Sequence, residues 1–381
     1  MGMSTVLILL AVALVGLLVI EFFYFKNLFG RFLKFWKIDR KPKLAKWLKV
    51  AMMVIIMPLS IMVFTEVGLW VFHFVAITAL VDLFCFIVRK ILRKDIKVLK
   101  AISASLIVSV VLTCSVMLYA YINMNTVVRT QYTVHTDKEL ERDYRVVFIS
   151  DLHLGNSVKI DELQEICDRI NAEKPDVFAL VGDIVDESTT KEDMEKAFEM
   201  FSSVESEYGT YFVYGNHDDM KLRHSESRRN YDSTDMEKTM DEFSITCLQD
   251  DVVKINDDIT VVGHKDASFF SDNADNLRLP IAKLTENVDK RNFILLLDHQ
   301  PTQFEDNKNA GVDLQISGHT HAGQIWPMGC FISLFKTADL DYGYEEYDSF
   351  NAIVSSGISG WSFPYRTEEN SEYVVIDITD K

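Results

Sequence analysis

No charged residue interrupts the chain between positions 3 and 20, and three more apolar runs follow before position 123. Residues 50–65 and 101–122 are uncharged, and 67–88 carries Asp82 as its one charge. A helix needs about 20 apolar residues to cross a bilayer core. The first, third and fourth runs reach that length. The second reaches it only if 44–49 contributes, with its lysines extending their charged ends toward water. Glu66 and Gly68 fall where a tight turn would join the second and third spans. The pattern predicts an all-α, four-helix transmembrane region over residues 1–128, followed by a soluble domain over 129–381.

The charges give an orientation. Nine Lys and Arg lie between the first two runs, from 26 to 49, and six lie between the last two, from 89 to 100. Basic loops stay in the cytoplasm. A multi-pass protein of the cell membrane follows, with everything beyond the fourth run on the extracellular face. The first run lacks the basic start and small-residue cleavage site of a signal peptide, so it reads as a true span. Within the third run, Asp82 lies near the cytoplasmic end and can reach the basic loop, and His73 reads as a packed helix contact.

Residues 1–128 carry 15 Lys and Arg against 5 Asp and Glu, a net +10. The remaining 24 against 51 give −27. So acidic a domain excludes nucleic acid as a partner, because phosphate backbones are bound by basic faces. The lipid bilayer is the partner implied, and nothing points to a protein partner. Five widely spaced cysteines without a C-x-x-C pair make neither a disulfide framework nor a thiolate metal site.

Beyond the spans, short runs rich in β-branched and aromatic residues read as buried strands at 144–150, 177–181, 211–214, 259–262, 293–297, 314–317, 352–355 and 373–378. Helical spacing appears at 159–173 and 191–203, and weakly at 236–243. The segment 221–235 reads as a polar loop. The expected class is α/β, a two-sheet core flanked by helices.

Chemistry collects at the ends of these strands. Asp151-Leu152-His153 follows the first, Gly182-Asp183 the second and Gly215-Asn216-His217-Asp218 the third. Asp298-His299 and Gly318-His319-Thr320-His321 end two later ones. Residues i and i+2 of an extended chain share a face, so Asp151 can act with His153 and His319 with His321. Carboxylate and imidazole together suit Mn, Fe or Zn.

This ordered set, D-x-H, G-D, G-N-H-D, H and G-H-x-H, resembles the calcineurin-like metallophosphoesterase superfamily. The strings SDLHLG, SGHTHAGQ and SSGISGWSFPYR are similar to its membrane-associated bacterial branch. The resemblance covers about 144–378. It implies an αββα sandwich and two divalent metal ions, one taken by Asp151, His153, Asp183 and His321, the other by Asp183, Asn216, His299 and His319. It also implies His217 as the catalytic histidine, with Asp218 orienting it. Two cations clamp a phosphate and supply hydroxide at neutral pH. A histidine beside them suits protonation of the leaving oxygen.

The expected activity is hydrolysis of a phosphomonoester, phosphodiester or pyrophosphate bond, in a lipid-linked or cell-envelope substrate. The competing reading is a transporter or sensor whose domain only binds ligand. Ala322 stands where relatives carry a second glycine, and Gly263-His264-Lys265-Asp266 where they carry an acidic pair. Arg366 is a candidate for binding the substrate phosphate, with fixing its own turn as the alternative. His264 is a candidate pocket residue, with a solvated loop position as the alternative. His135 and His224 read as surface residues and Asp186 and Asp219 as surface carboxylates. Trp326, Phe335 and Trp361 read as core, or as an apolar wall for a lipid or sugar.

Overall fold

The structure is a computed structural model that describes residues 3–62, 65–155, 157–218, 229–267 and 278–381. It divides into two compact units, Met1–Leu118 and Tyr119–Lys381.

The first unit holds α1 (Met3–Phe35), α2 (Pro42–Ile61), α3 (Glu66–Leu92), α4 (Lys97–Ser105) and most of α5 (Ile107–Met124). Thr65 caps α3, its hydroxyl accepting from the Gly68 N–H at 3.1 Å. The fourth apolar run is not one helix. Leu106 takes a left-handed conformation at φ 61 and separates α4 from α5. Serine is the local cause: the Ser105 hydroxyl accepts from the Ile107 N–H at 3.3 Å, offering the backbone a partner outside the helix ladder. Among the described residues, α3 and α5 are long and apolar enough to cross a membrane. Phe25, Leu28, Phe29 and Leu106 form the unit's buried cluster. Asp82 pairs with Arg31 and accepts from the hydroxyl of Tyr24 at 3.3 Å. His73 is buried, its Nδ1 2.9 Å from the Leu69 carbonyl one turn back.

The second unit contains two six-stranded sheets. The first comprises β1 (Val127–Thr136), β2 (Tyr144–Ile149), β3 (Val177–Val181), β4 (Thr210–Val213), β5 (Ile245–Leu248) and β12 (Ser371–Asp380), in the order β1-β12-β2-β3-β4-β5. The second comprises β6 (Asp251–Lys254), β7 (Ile259–Gly263), β8 (Phe293–Leu297), β9 (Leu314–Ser317), β10 (Gly343–Tyr347) and β11 (Phe350–Val354), in the order β10-β11-β9-β8-β7-β6. Each sheet mixes parallel and antiparallel pairs.

The period-2 alternation of strands sorts their side chains into layers. Val146 and Phe148 of β2, Val177, Ala179 and Val181 of β3, and Phe293, Leu295 and Leu297 of β8 share one core between the sheets. Val147, Ile149, Phe178 and Leu180 face the other way, onto α6 (Ile160–Ala172), α7 (Lys191–Ser202) and α8 (Ser233–Glu242). Ile294 and Leu296 face α9 (Ile281–Leu284) and α10 (Phe304–Asn309). Helices therefore cover both outer faces.

Four strands go beyond the sequence expectation. β1 lies ahead of the first expected strand and pairs in parallel with β12 from Val127↔Ser371 to Thr136↔Asp380. Only Val134 and Thr136 of its ten residues are buried, which is why no apolar run announces it. β5, β6 and β10 are likewise edge strands, and no side chain of β6 or β10 is buried. α8 starts at Ser233, inside the segment expected as loop, because the Asp232 carboxylate accepts the Asp235 N–H at 3.1 Å and caps it.

Candidate metal centre

β2, β3 and β4 run parallel as neighbours in one sheet, and β8 and β9 do so in the other. Their carboxyl ends therefore open on one edge each, the usual location of sites in such sheets. Gly182 lets the two edges approach. Its φ is +77, and a Cβ there would lie 2.5 Å from the His299 ring.

Five of the seven expected ligands occupy the left-handed region: Asp151, His153, Asp183, His319 and His321, with φ from 41 to 72. Each such residue costs about 1 kcal/mol or more and persists only where its surroundings hold it. They do so here. The Asp151 N–H donates to the Gly182 carbonyl and the His153 N–H to the Asp183 carbonyl, both at 3.0 Å. The His319 N–H donates to the Asp151 carboxylate at 3.0 Å and the His217 N–H to the Asp183 carboxylate at 2.7 Å.

The expected ligands converge in two groups, and His153 also forms a third with Asp186 and His217. Asp151, His153 and His321 form one, with His321 Nε2 3.5 Å from Asp151 and 3.3 Å from His153 Nε2. Asp183, His299 and His319 form the other, with His299 Nε2 3.1 Å from Asp183. Asp183 also lies 3.8 Å from His153 Nε2, between the groups. Asp151, His153 and His299 are fully buried.

Burial would raise the carboxyls, but neighbouring imidazoles outweigh it. His321 and His299 bring Asp151 below the usual carboxylate range, and His299 brings Asp183 well below it. Burial pushes His321 down to about 3 and lowers His319 as well. Burial opposes charge on His299 too, yet Asp183 and Asp151 lift it well above the ordinary value.

The donor set fits cations. His299 Nδ1 donates to the Val181 carbonyl at 2.9 Å, so Nε2 turns its lone pair toward the Asp183 carboxylate. Two acceptors at that distance are held together by a cation or proton between them. His153 Nδ1 is likewise committed to Asp186 at 3.0 Å, leaving Nε2 for the centre. Asn216 Oδ1 is buried without a hydrogen-bond partner.

The profile of the calcineurin-like phosphoesterase family matches residues 144–323. The chain carries a calcineurin-like phosphoesterase domain. An uncharacterized metallophosphoesterase of Helicobacter pylori is 28% identical over 250 residues, covering 65% of this chain and 63% of that protein. A Danio rerio protein described as a transmembrane protein with metallophosphoesterase domain is 26% identical over 285 residues, covering 70% of this chain and 61% of its own. An uncharacterized metallophosphoesterase of Aquifex aeolicus is 26% identical and covered over 98% of its length. The chain thus spans less than two thirds of the Helicobacter and Danio proteins.

Around the phosphoesterase centre, several residues stand differently from the sequence reading. Asp218 does not orient His217. Its buried carboxylate accepts the N–H groups of Asp183, Ile184, Val185 and Gly215 at 2.6–3.0 Å, tying two strand tips together. Burial and Asp183 raise its pKa to about 6. His217 Nδ1 instead meets Glu187 at 3.0 Å. Burial works against its charge, but Glu187 and Asp183 carry it up to about 9.

Asp186 is buried against His153 and is no surface carboxylate. Arg229 donates to the carbonyls of Asp186, His217 and Asp218. The acidic pair Asp186-Glu187, so soon after Asp183, was the signal available for these partners.

Arg366 is fully buried, with its guanidinium on the carbonyls of His321 at 3.0 Å and Ser359 at 2.6 Å, contacts that fix its own turn. His264 is neither solvated nor free to line a pocket. It is buried between Asp298 and the Leu279 carbonyl. Ala322 sits at φ 51, bearing strain a glycine would avoid. Trp326, Phe335 and Trp361 are exposed, not core. His135 is exposed as expected. Asp219 and His224 lie outside the described residues.

Proposed function

We propose that the chain is a membrane-anchored, dinuclear-metal phosphoesterase. Residues 1–128 serve as a four-span, multi-pass anchor in the cell membrane, and residues 129–381 as a catalytic domain on the extracellular face. The substrate is a phosphomonoester, phosphodiester or pyrophosphate of lipid-linked or envelope type. The observation that carries the reading is the pair of Asp/His groups meeting at Asp183.

Asp151, His153, Asp183 and His321 would hold one divalent ion, and Asp183, Asn216, His299 and His319 the other, as Mn, Fe or Zn. Bound there, the pair would supply Lewis acidity toward the phosphate and a nucleophile at neutral pH. The chain's own residues do the rest. Asp186 and the Val181 carbonyl fix the tautomers of His153 and His299. Asp218 holds the tips that present Asp183 and Asn216. His217, with Nδ1 engaged by Glu187, keeps Nε2 for protonating the leaving oxygen.

Elemental analysis of the purified full chain after metal loading and desalting should find close to two transition ions per chain. A Mn²⁺-loaded sample should hydrolyse at least one member of a panel of mono-, di- and pyrophosphate esters. A metal content near zero would end this reading, and an inactive but metal-loaded chain would favour a binding domain.

A further inference from the structure

After its last 3-10 turn, at His321–Gly323, the chain enters α11 (Met328–Phe335), an eight-residue helix with the sequence MGCFISLF. Gly329 is its one buried residue. Leu334 and Phe335 are 71% and 68% exposed, and Phe331 stacks on Phe335 with centroids 6.0 Å apart. Trp326, two residues before the helix, is exposed, and so is Trp361, whose backbone is hydrogen-bonded to Gln324. An exposed apolar cluster of this kind marks a surface that meets something.

Two observations select the partner. The first is attachment. Glu368 joins the patch to the last turn of α5: its carbonyl accepts from Asn123 Nδ2 at 3.0 Å, and its carboxylate accepts from the Gly329 N–H at 3.2 Å. Asn123 also donates to the carbonyls of Arg366 and Glu369, and the Arg366 N–H donates to the Ala120 carbonyl at 2.9 Å. One residue therefore separates the start of α11 from the end of a helix apolar enough to span a bilayer. The second is charge. In a domain of net −27, positions 324–338 contain no Asp or Glu, and Lys336 is their one charge. Tryptophans flanking an apolar helix without acidic residues suit the headgroup layer of a membrane.

We infer that α11, with Trp326 and Trp361, seats in the interfacial layer of the bilayer that α5 crosses. This rests on the anchoring reading above. It adds that the phosphoesterase domain lies down on the lipid instead of standing off it. The consequence for the centre is direct. Trp361 packs 5.9 Å from the His217 ring, so the lipid surface would begin at the wall of the site. A substrate whose phosphate is attached to an acyl or isoprenoid tail could then present the phosphate without leaving the membrane.

The test uses the full chain in nanodiscs of phosphatidylethanolamine and phosphatidylglycerol. Cys330 on α11 is exposed and takes a nitroxide in a Cys114→Ser, Cys247→Ser background. Collision rates with oxygen and with a water-soluble nickel chelate report its surroundings. The oxygen-to-nickel ratio should exceed that of a label at Glu195→Cys, exposed on α7, by about threefold or more, as for an interfacial helix. Leu334→Cys should repeat the result.

A ratio at Cys330 equal to that at Glu195→Cys would overturn the inference. Protection from both reagents would also overturn it, pointing to a second copy of the chain. A label on the native Cys114, in a Cys330→Ser background, separates the two readings. If Cys114 is water-exposed, the anchoring reading fails. If Cys114 is in lipid and Cys330 in water, only the docking of α11 fails.

Discussion

His217 and Asp183 lie within one hydrogen bond of each other, yet their proposed roles divide cleanly. His217→Ala should keep both metals and lose on the order of 10²–10⁴-fold in turnover for an ester with a poor leaving group. The loss should be much smaller for p-nitrophenyl phosphate, whose leaving group needs little protonation. Equal losses for both esters would mean that His217 acts on the phosphate's charge. Asp183→Ala should lose metal and activity together, because no neighbouring carboxylate can reach both groups of ligands. Asp218 belongs to neither class. Its four backbone N–H partners would be left buried and unpaired in Asp218→Ala, a cost of about 3 kcal/mol or more. Chemical denaturation of the full chain should show that loss even without metal, whereas His217→Ala should leave the midpoint nearly unchanged. The residue types and their order at strand ends were legible, but the shared face of an extended i, i+2 pair is not how they meet: Asp151, His153, His319 and His321 are left-handed, and His319 and His321 join different groups. The partners were not legible. Asp218 follows His217 in sequence but turns its carboxylate back to the Asp183 tip, and which histidine takes Asp186 and which takes Glu187 depends on a loop path that no local pattern encodes.

Elements were legible in proportion to what they bury. The eight expected strands are central or nearly so, and burial on both faces makes them continuous apolar runs. β1, β6 and β10 are edge strands whose exposed side chains look like linker, and their pairing is decided by a neighbour distant in sequence. Phe335 on α11 failed in the opposite direction, since an aromatic residue reads as core until the structure leaves it uncovered. Beside α11, burial first and Glu368 second raise the pKa of Asp341 to about 6. Folding therefore tightens its hold on a proton. The group favours folding most below its unfolded value of about 3.9, and that contribution is lost as pH rises through about 6. Asp341→Asn removes the buried charge, so at pH 7.5 it should raise the domain's melting midpoint. The side chain is only half-buried, which limits the gain to about 1 kcal/mol. Melting curves at stepwise lower pH should show the advantage shrinking toward zero near pH 4. An advantage independent of pH would mean that the amide acts by packing and not by charge.

At the scale of the whole chain, the question is which side of the membrane holds the phosphoesterase domain, and the answer depends on fewer helices than the four-span reading suggests. α2 has only residues 50–61 as an uncharged stretch, so its crossing depends on Lys43, Lys46 and Lys49 reaching back to the interface. The side on which the domain emerges does not depend on that. It is set by α5, the last candidate span. At 1.5 Å per residue its 18 residues give about 27 Å, close to a bilayer core. Six basic residues, Arg89, Lys90, Arg93, Lys94, Lys97 and Lys100, precede α5, and no Lys or Arg follows until Arg129. Under the proposed anchoring, the positive-inside rule then predicts the α5 amino end in the cytoplasm and Met124 outside, whatever α1 and α2 do. Protease added to intact spheroplasts expressing the chain should therefore remove the domain, while a cytoplasmic marker survives. The variant with all six of these residues changed to Gln should become partly protected, because the charge difference across α5 is then gone. If the native chain were cut only after lysis, the domain would face the cytoplasm, and soluble nucleotides would replace envelope lipids as the substrates to test.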